Sequence, residues 1–308
     1  MTVTENFQMN KILIVGTGAL ATLFAARLAQ AGTQISMLGT WKAGLSALRK
    51  DGARLVDAEG IEHQFEVQAT DNPLECNGIK HVLVLVKAWQ TEYVAGQLKK
   101  CLADNGLAVT LQNGLGNREM LAQNLGSRRV ALGTTTTGAT LLGPGLVRAG
   151  GEGMISIEQH SALGPIEEAL SAAKFNVQVV DDAKSLIWGK LVINAAINPL
   201  TALLRVPNGK LLESPSAREM MGALASETAQ VAAAEKISLP FSDPIAATEE
   251  VARKTAANHS SMLQDILRGA PTEIDAICGA VVKTAQKHNM DSPANWACWK
   301  LVKAMTGK

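Results

Sequence analysis

The sequence predicts an α/β N-terminal domain followed by an all-helical C-terminal domain, with the boundary between residues 181 and 182. Three observations carry this. Short aliphatic runs alternate with helical patterns through the first half; a glycine-rich turn follows the first run directly; and beyond Phe175–Val180 and the acidic pair Asp181-Asp182 the chain reads almost wholly as helices. At 308 residues the chain has room for two domains, and 47% hydrophobic with 19% charged residues describes a folded globular chain.

The first element is Lys11-Ile-Leu-Ile-Val15, an aliphatic run fit for a buried parallel strand. It flows into Gly16-Thr-Gly-Ala-Leu-Ala21 and a helical pattern with Leu20, Leu23, Phe24 and Leu28 on one face; after Gly32, Gln34–Leu38 reads as a second strand. In this setting Gly-x-Gly-x-x-Ala predicts a Rossmann-like dinucleotide-binding domain at 9–181, with Gly16, Thr17, Gly18, Ala19 and Leu20 forming the pyrophosphate loop at a helix N-terminus. An NAD site usually places an acid about 20 residues beyond the glycines to bond the ribose 2′-hydroxyl. No acid occurs between Gly16 and Asp51; Thr40 and Lys42 follow the second strand instead, so NADP(H) is the expected cofactor. A solvated surface role is the alternative for Lys42.

Two later runs end at further site candidates. His81–Val86 leads into Lys87-Ala-Trp-Gln90, and Leu107–Leu111 into Gln112-Asn-Gly-Leu-Gly-Asn117, a polar turn whose Asn113 is placed to approach the nicotinamide ribose and substrate. Turn-making is the competing role for Asn113, because Asn before Gly readily adopts positive φ. Thr134–Thr137 reads as strand, and the segments around Gly143-Pro-Gly145 as an antiparallel addition to the sheet.

Residues 182–308 read as an all-α substrate and dimerisation domain. Between Trp188 and Leu204 an apolar helical stretch carries Lys190, Asn194 and Asn198 at i, i+4 spacing; successive positions rotate by about 40°, so all three project from one side. A lysine on a largely apolar helix is costly unless paired or used. Two readings stand: a site for a small polar guest, and a Lys-Asn network bonded to neighbouring carbonyls. Pro199 is expected to kink or stop the helix. Helices are expected after Ser214-Pro-Ser216, before Ser260-Ser261, and from Thr272 as N-cap, which places Glu273 in a first turn where the dipole alone favours an acid.

Several classes are disfavoured. The net charge is +1 with no basic run, which argues against nucleic acid, and Cys76, Cys101, Cys278 and Cys298 form no Cys-x-x-Cys and no cluster with His, so neither a metal site nor a disulfide framework is expected. Met1–Asn10 lacks a basic n-region and the apolar stretch from Ile12 is cut by Gly16, Gly18 and Arg27, so a cytoplasmic protein without signal peptide or membrane span is expected.

Across almost the whole chain the motifs resemble the ketopantoate reductase family. The resemblance rests on Gly16-Thr-Gly-Ala-Leu, Lys87-Ala-Trp-Gln, Asn113-Gly-Leu-Gly, Gly133-Thr-Thr-Thr, Trp188-Gly-Lys-Leu with Asn194 and Asn198-Pro-Leu-Thr-Ala, and Ser260-Ser-Met-Leu-Gln-Asp followed by Thr272-Glu-Ile-Asp. It implies NADPH-dependent reduction of 2-dehydropantoate to (R)-pantoate in pantothenate and coenzyme A biosynthesis. It further implies Lys190 as general acid, Asn113, Asn194, Asn198, Asn258 and Ser261 as substrate contacts, Glu273 as a carboxylate holding lysine or substrate, and Lys87 near the cofactor, with the reaction in a cleft between domains. The family often carries Arg just after the second strand, where this chain has Gly39-Thr-Trp-Lys42. Alternatives are a sibling reductase of another small 2-keto acid and a non-catalytic nucleotide-binding sensor; a homodimer is possible.

Overall fold

A computed structural model describes residues 11–307. The expectation for Met1–Asn10 concerns residues outside that range. The described residues divide into two units: those up to Gln112 with Asn117–Ala183, and Asn113–Gly116 with the chain from Lys184 onward.

In the first unit, in chain order, are β1 (Lys11–Val15), α1 (Ala19–Gln30), β2 (Gln34–Leu38), α2 (Lys42–Asp51), β3 (Ala53–Val56), β4 (Glu62–Phe65), β5 (Gln68–Thr70), β6 (Ile79–Val84), α3 (Thr91–Leu98) and β7 (Leu102–Thr110). They are followed by α4 (Asn117–Leu125), β8 (Val130–Thr135), β9 (Ala139–Gly143), β10 (Leu146–Ala149), β11 (Met154–Glu158), α5 (Gly164–Ala172) and β12 (Asn176–Val180). The main sheet has the order β12-β11-β8-β7-β6-β1-β2-β5. From β5 to β8 every pair is parallel, as the fully buried Ile12–Val15 and Val82–Val84 require of central strands. β11 pairs antiparallel with β8. This is the Rossmann-like α/β architecture expected from the alternating pattern.

The residues around Gly143-Pro-Gly145 do form a hairpin, but not on the main sheet. β9 and β10 join β3 and β4 in a separate sheet of order β4-β3-β10-β9. The cause is the parallel pairing of β10 with β3, begun where Arg54 N donates to Gly145 O at 2.8 Å. α1 packs against strands of both sheets, which explains why Ala21, Leu23, Phe24, Ala25, Ala26 and Leu28 are all buried although one face alone was expected.

The second unit is helical: α6 (Lys184–Leu204), α7 (Lys210–Glu213), α8 (Pro215–Ala234), α9 (Pro244–Lys254), α10 (Ser261–Leu267), α11 (Cys278–Lys287) and α12 (Pro293–Thr306). Ser214 caps α8 by accepting from Ala217 N, and Asp243 caps α9 by accepting from Ile245 and Ala246 N–H groups. α6 is long and apolar enough to cross a bilayer, but 67% of its most apolar window is buried, and a core helix passes the same test.

Two local features go beyond the expectations. Of the kink or stop expected at Pro199, the stop does not occur, and α6 runs to Leu204. Pro199 deprives the Ala195 carbonyl of its helical donor, and the buried Cys278 thiol, 3.8 Å away, donates to that oxygen instead. The helix expected from Thr272 begins only at Cys278; Glu273 to Ile277 form turns in which Ala276 and Ile277 N–H groups donate to Glu273 O. Thr272 is therefore no N-cap, and a first-turn dipole does not account for Glu273.

The thiol contact is testable. Cys278→Ala is expected to cost about 1–3 kcal/mol, read as a lower urea midpoint, because it strands a buried carbonyl and opens space; Cys278→Ser, which keeps a donor, is expected to cost less.

Candidate active site

The glycine loop of the first unit is shaped by close backbone approach. β1 and β6 are the neighbours at which the strand order reverses, so the crevice beyond their C-terminal ends is the ligand site of a doubly wound sheet. Gly16 lies there with φ +129°, donating to Leu38 O at 2.8 Å, and a Cβ on it would stand 3.1 Å from the Leu85 carbonyl carbon. Gly18 caps α1 with no side-chain bond, open space lies where its Cβ would be, and no acid occupies the first turn. Free N–H groups and an uncluttered helix N-terminus fit a pyrophosphate. Ala19 and Leu20 open α1, and the buried Thr17 packs so tightly on Gly39 that a Cβ there would lie 2.7 Å from the threonine methyl.

Thr40 is exposed and lines a pocket with Val15, Leu38, Asp71 and Gln90; Lys42 is exposed at the start of α2. Lys87 is partly buried beyond β6, between Val86 and Gln90, which both line that pocket. A polar network absent from the sequence reading braces this region: Gln112 Nε2 donates to Val86 O at 3.0 Å and to Thr91 Oγ1 at 2.8 Å, and Thr91 Oγ1 donates to Asn117 Oδ1 at 2.9 Å. The signal was the polar residue pattern after a buried strand, but the partners lie too far apart in sequence to be paired by inspection.

In the second unit α6 carries Lys190, Asn194 and Asn198 as the spacing requires. Asn198 is buried and Asn194 partly so, and among the described residues neither side-chain amide has a protein hydrogen-bond partner. Part of the Lys190 side chain remains accessible, yet protein surrounds the amine so densely that burial lowers its pKa to about 8, with the Glu273 carboxylate pulling the other way. Glu273 is buried and accepts from Asn113 Nδ2 at 3.1 Å.

Asn113 is not a positive-φ turn residue. Gly114 takes that conformation, at φ +82°, and a Cβ on it would stand 2.3 Å from Ala276 O; the next residue, Leu115, donates to the same oxygen at 3.0 Å. Residues 113–116 thus pack with the helical unit. Gly114 makes the approach possible.

Of the two adjacent serines, Ser260 is buried and caps α10 by accepting from Leu263 N at 3.1 Å, while Ser261 is exposed. The Thr201 hydroxyl lies 2.7 Å from Ser260 Oγ and 3.0 Å from Asn198 O. This ties the start of α10 to the Asn198 end of the stripe and sets Ser261 one residue away. Asn258 is exposed, its backbone carbonyl accepting from Asn208 N at 3.0 Å. Among the described residues no cluster of three or more His, Cys, Asp or Glu is placed to hold a metal ion.

Comparisons with known proteins identify the family. Residues 12–162 match the family model "Ketopantoate reductase PanE/ApbA" and residues 182–306 its "C terminal" companion. The chain is 36% identical over 303 residues to the 2-dehydropantoate 2-reductase of Archaeoglobus fulgidus, covering 97% of this chain and 98% of that one. Among solved structures, a PanE/ApbA family ketopantoate reductase of Ralstonia eutropha superposes with a TM-score of 0.90 at 30% identity, covering 96% and 98% of the two chains. A D-mandelate dehydrogenase solved with NADH and anilino(oxo)acetate also has a TM-score of 0.90, at 25% identity and the same coverage.

The depressed lysine has a consequence for stability. The unfolded chain holds the lysine proton up to the ordinary value of 10.5 while the folded protein releases it near 8, so between those values the unfolded state binds more protons and stability rises with pH. Measured as urea midpoints, the unfolding free energy of wild type minus that of Lys190→Met is expected to increase from pH 8 to 10.5 and to be flat below. A difference flat across the whole window contradicts the burial assigned to the amine.

Proposed function

Since the chain belongs to the ketopantoate reductase family and is an oxidoreductase, we propose that it reduces the ketone of 2-dehydropantoate with NADPH to (R)-pantoate, a step toward pantothenate and coenzyme A. The observation that carries this reading is a lysine with a pKa near 8, facing the charge of Glu273, on a helix whose two asparagine amides have no hydrogen-bond partner among the described residues.

The reduced nicotinamide, when bound, supplies the hydride. As the carbonyl carbon gains hydrogen its oxygen becomes an alkoxide, and Lys190 Nζ gives that oxygen a proton, completing the alcohol. A positioned acid of this kind is typically worth about 10²–10⁴ in rate, and a pKa near neutrality eases donation. Asn194 and Asn198 orient the carboxylate and hydroxyl of the keto acid, with Asn113, Asn258 and Ser261 as further contacts. Glu273 keeps the lysine charged and Asn113 oriented. Gly16, Thr17, Gly18, Ala19 and Leu20 cradle the pyrophosphate; Thr40 and Lys42 meet the 2′-phosphate, and Lys87 lies near the cofactor. Residues 9–181 are the cofactor domain and 182–308 the substrate and dimerisation domain of a cytoplasmic enzyme.

Similarity to a D-mandelate dehydrogenase favours one second reading, a reductase of another small 2-keto acid. NADPH oxidation with 2-dehydropantoate and a panel including phenylglyoxylate separates the two. The proposal expects the highest kcat/KM with 2-dehydropantoate; a preferred aromatic keto acid overturns it in favour of the second reading. Lys190→Ala is expected to bind NADPH normally and to lose about 10²–10⁴ in kcat, and near-wild-type turnover would remove Lys190 from the chemistry.

A further inference from the structure

The sequence contains no acid between Gly16 and Asp51, yet the fold delivers a carboxylate to the same place from another strand. β5 lies beside β2 in parallel register, Leu38 opposite Thr70, and Gly39 N donates to Thr70 O at 3.1 Å. The next residue, Asp71, therefore emerges level with Gly39 on the neighbouring strand, beside the place where an acid ending β2 would stand in an NAD site. It lines the pocket that Thr40 lines. Opposite stands a cation: Arg49 Nη2 lies 3.1 Å from Asp71 Oδ1, and Arg49 Nε donates to Ala69 O at 2.7 Å. Both side chains are about half or more exposed, at 50% for Arg49 and 64% for Asp71, so the pair is open to exchange with a ligand.

We propose that Asp71 and Arg49 are the residues that set the choice between NADPH and NADH, Asp71 accepting the ribose 2′-hydroxyl of NADH and opposing a 2′-phosphate, Arg49 masking that carboxylate. The proposal rests on the nicotinamide-dependent reading above. Its chemistry is simple. A 2′-hydroxyl is a donor and matches a carboxylate, whereas a 2′-phosphate is an anion repelled by it and drawn to a guanidinium. With the two side chains paired, a 2′-phosphate competes with Asp71 for Arg49, and Lys42 adds a second positive charge to α2 at its start. Strand pairing, rather than position along the chain, thus supplies the acid that the second strand lacks.

The test is equilibrium binding of NADPH and NADH to the full-length protein, read by nucleotide fluorescence without substrate, for wild type, Asp71→Asn and Arg49→Gln. Asp71→Asn is expected to weaken NADH by about tenfold, the scale of a charge-assisted hydrogen bond, and to leave NADPH unchanged or tighter. Arg49→Gln is expected to shift the ratio the other way, weakening NADPH and sparing NADH. A purely structural salt bridge predicts something different, since each variant breaks the Arg49–Asp71 ion pair without acting on the 2′-group, and any loss of binding would fall on both nucleotides alike. Parallel changes, or ratios within twofold of wild type for both variants, overturn the proposal. Failure of wild type to bind either nucleotide would instead refute the cofactor reading on which it stands.

Discussion

The second unit is organised around the cost of keeping a lysine charge inside an apolar helix. Burial pulls the Lys190 pKa down to about 8, and the carboxylate of Glu273 opposes that fall. Replacing one partner of such a pair would leave the other charge uncompensated. The surroundings follow from holding those two groups in place. Glu273 sits in turns rather than a helix, the Ala276 carbonyl of those turns accepts from Leu115 N, and Gly114 lacks the Cβ that would collide with it. Asn113 then reaches Glu273 from the same turn. Beyond the Lys-Asn stripe, α6 continues past Pro199 to Leu204, and the Cys278 thiol donates to the Ala195 carbonyl that the proline orphans.

The first unit answers a different constraint, close approach of backbone to a phosphate. Gly16 is pinned by Leu38 O and abuts Leu85, so the loop occupies the meeting point of β1, β2 and β6. α1 begins there with its N–H groups uncapped by any side chain. The same parallel pairing that builds the sheet also decides which charges surround the pocket, because it sets Thr70 beside Leu38 and so puts Asp71 next to Gly39.

Much of this was legible in the sequence because it depends on short-range regularity. The strand–glycine–helix–strand unit and the i, i+4 stripe are periodic features, and Ser214-Pro215 declared the start of α8 through local capping chemistry. What was not legible depends on contacts distant along the chain. Nothing near Pro199 reveals a donor at Cys278, nothing near Asn113 a partner at Glu273, and the absence of an acid after Gln34–Leu38 conceals one brought by β5. The turn residues at Gly143–Gly145 announce a hairpin but not its sheet, since its partner, β3, carries no pattern strong enough to read. Thr272-Glu273 resembled a helix start because local propensity favours one there; tertiary contacts of Ala276 and Glu273 override it.

The central claim is that Lys190 donates the proton and that Glu273 sets how readily it does so. The pH dependence of kcat/KM for 2-dehydropantoate, compared between wild type and Glu273→Gln, tests both parts together. Wild type is predicted to lose activity as pH rises through about 8, and the variant, lacking the charge that raises the lysine pKa, to lose it at lower pH. Alkaline limbs that coincide in the two proteins, or one that moves upward in the variant, would contradict the account.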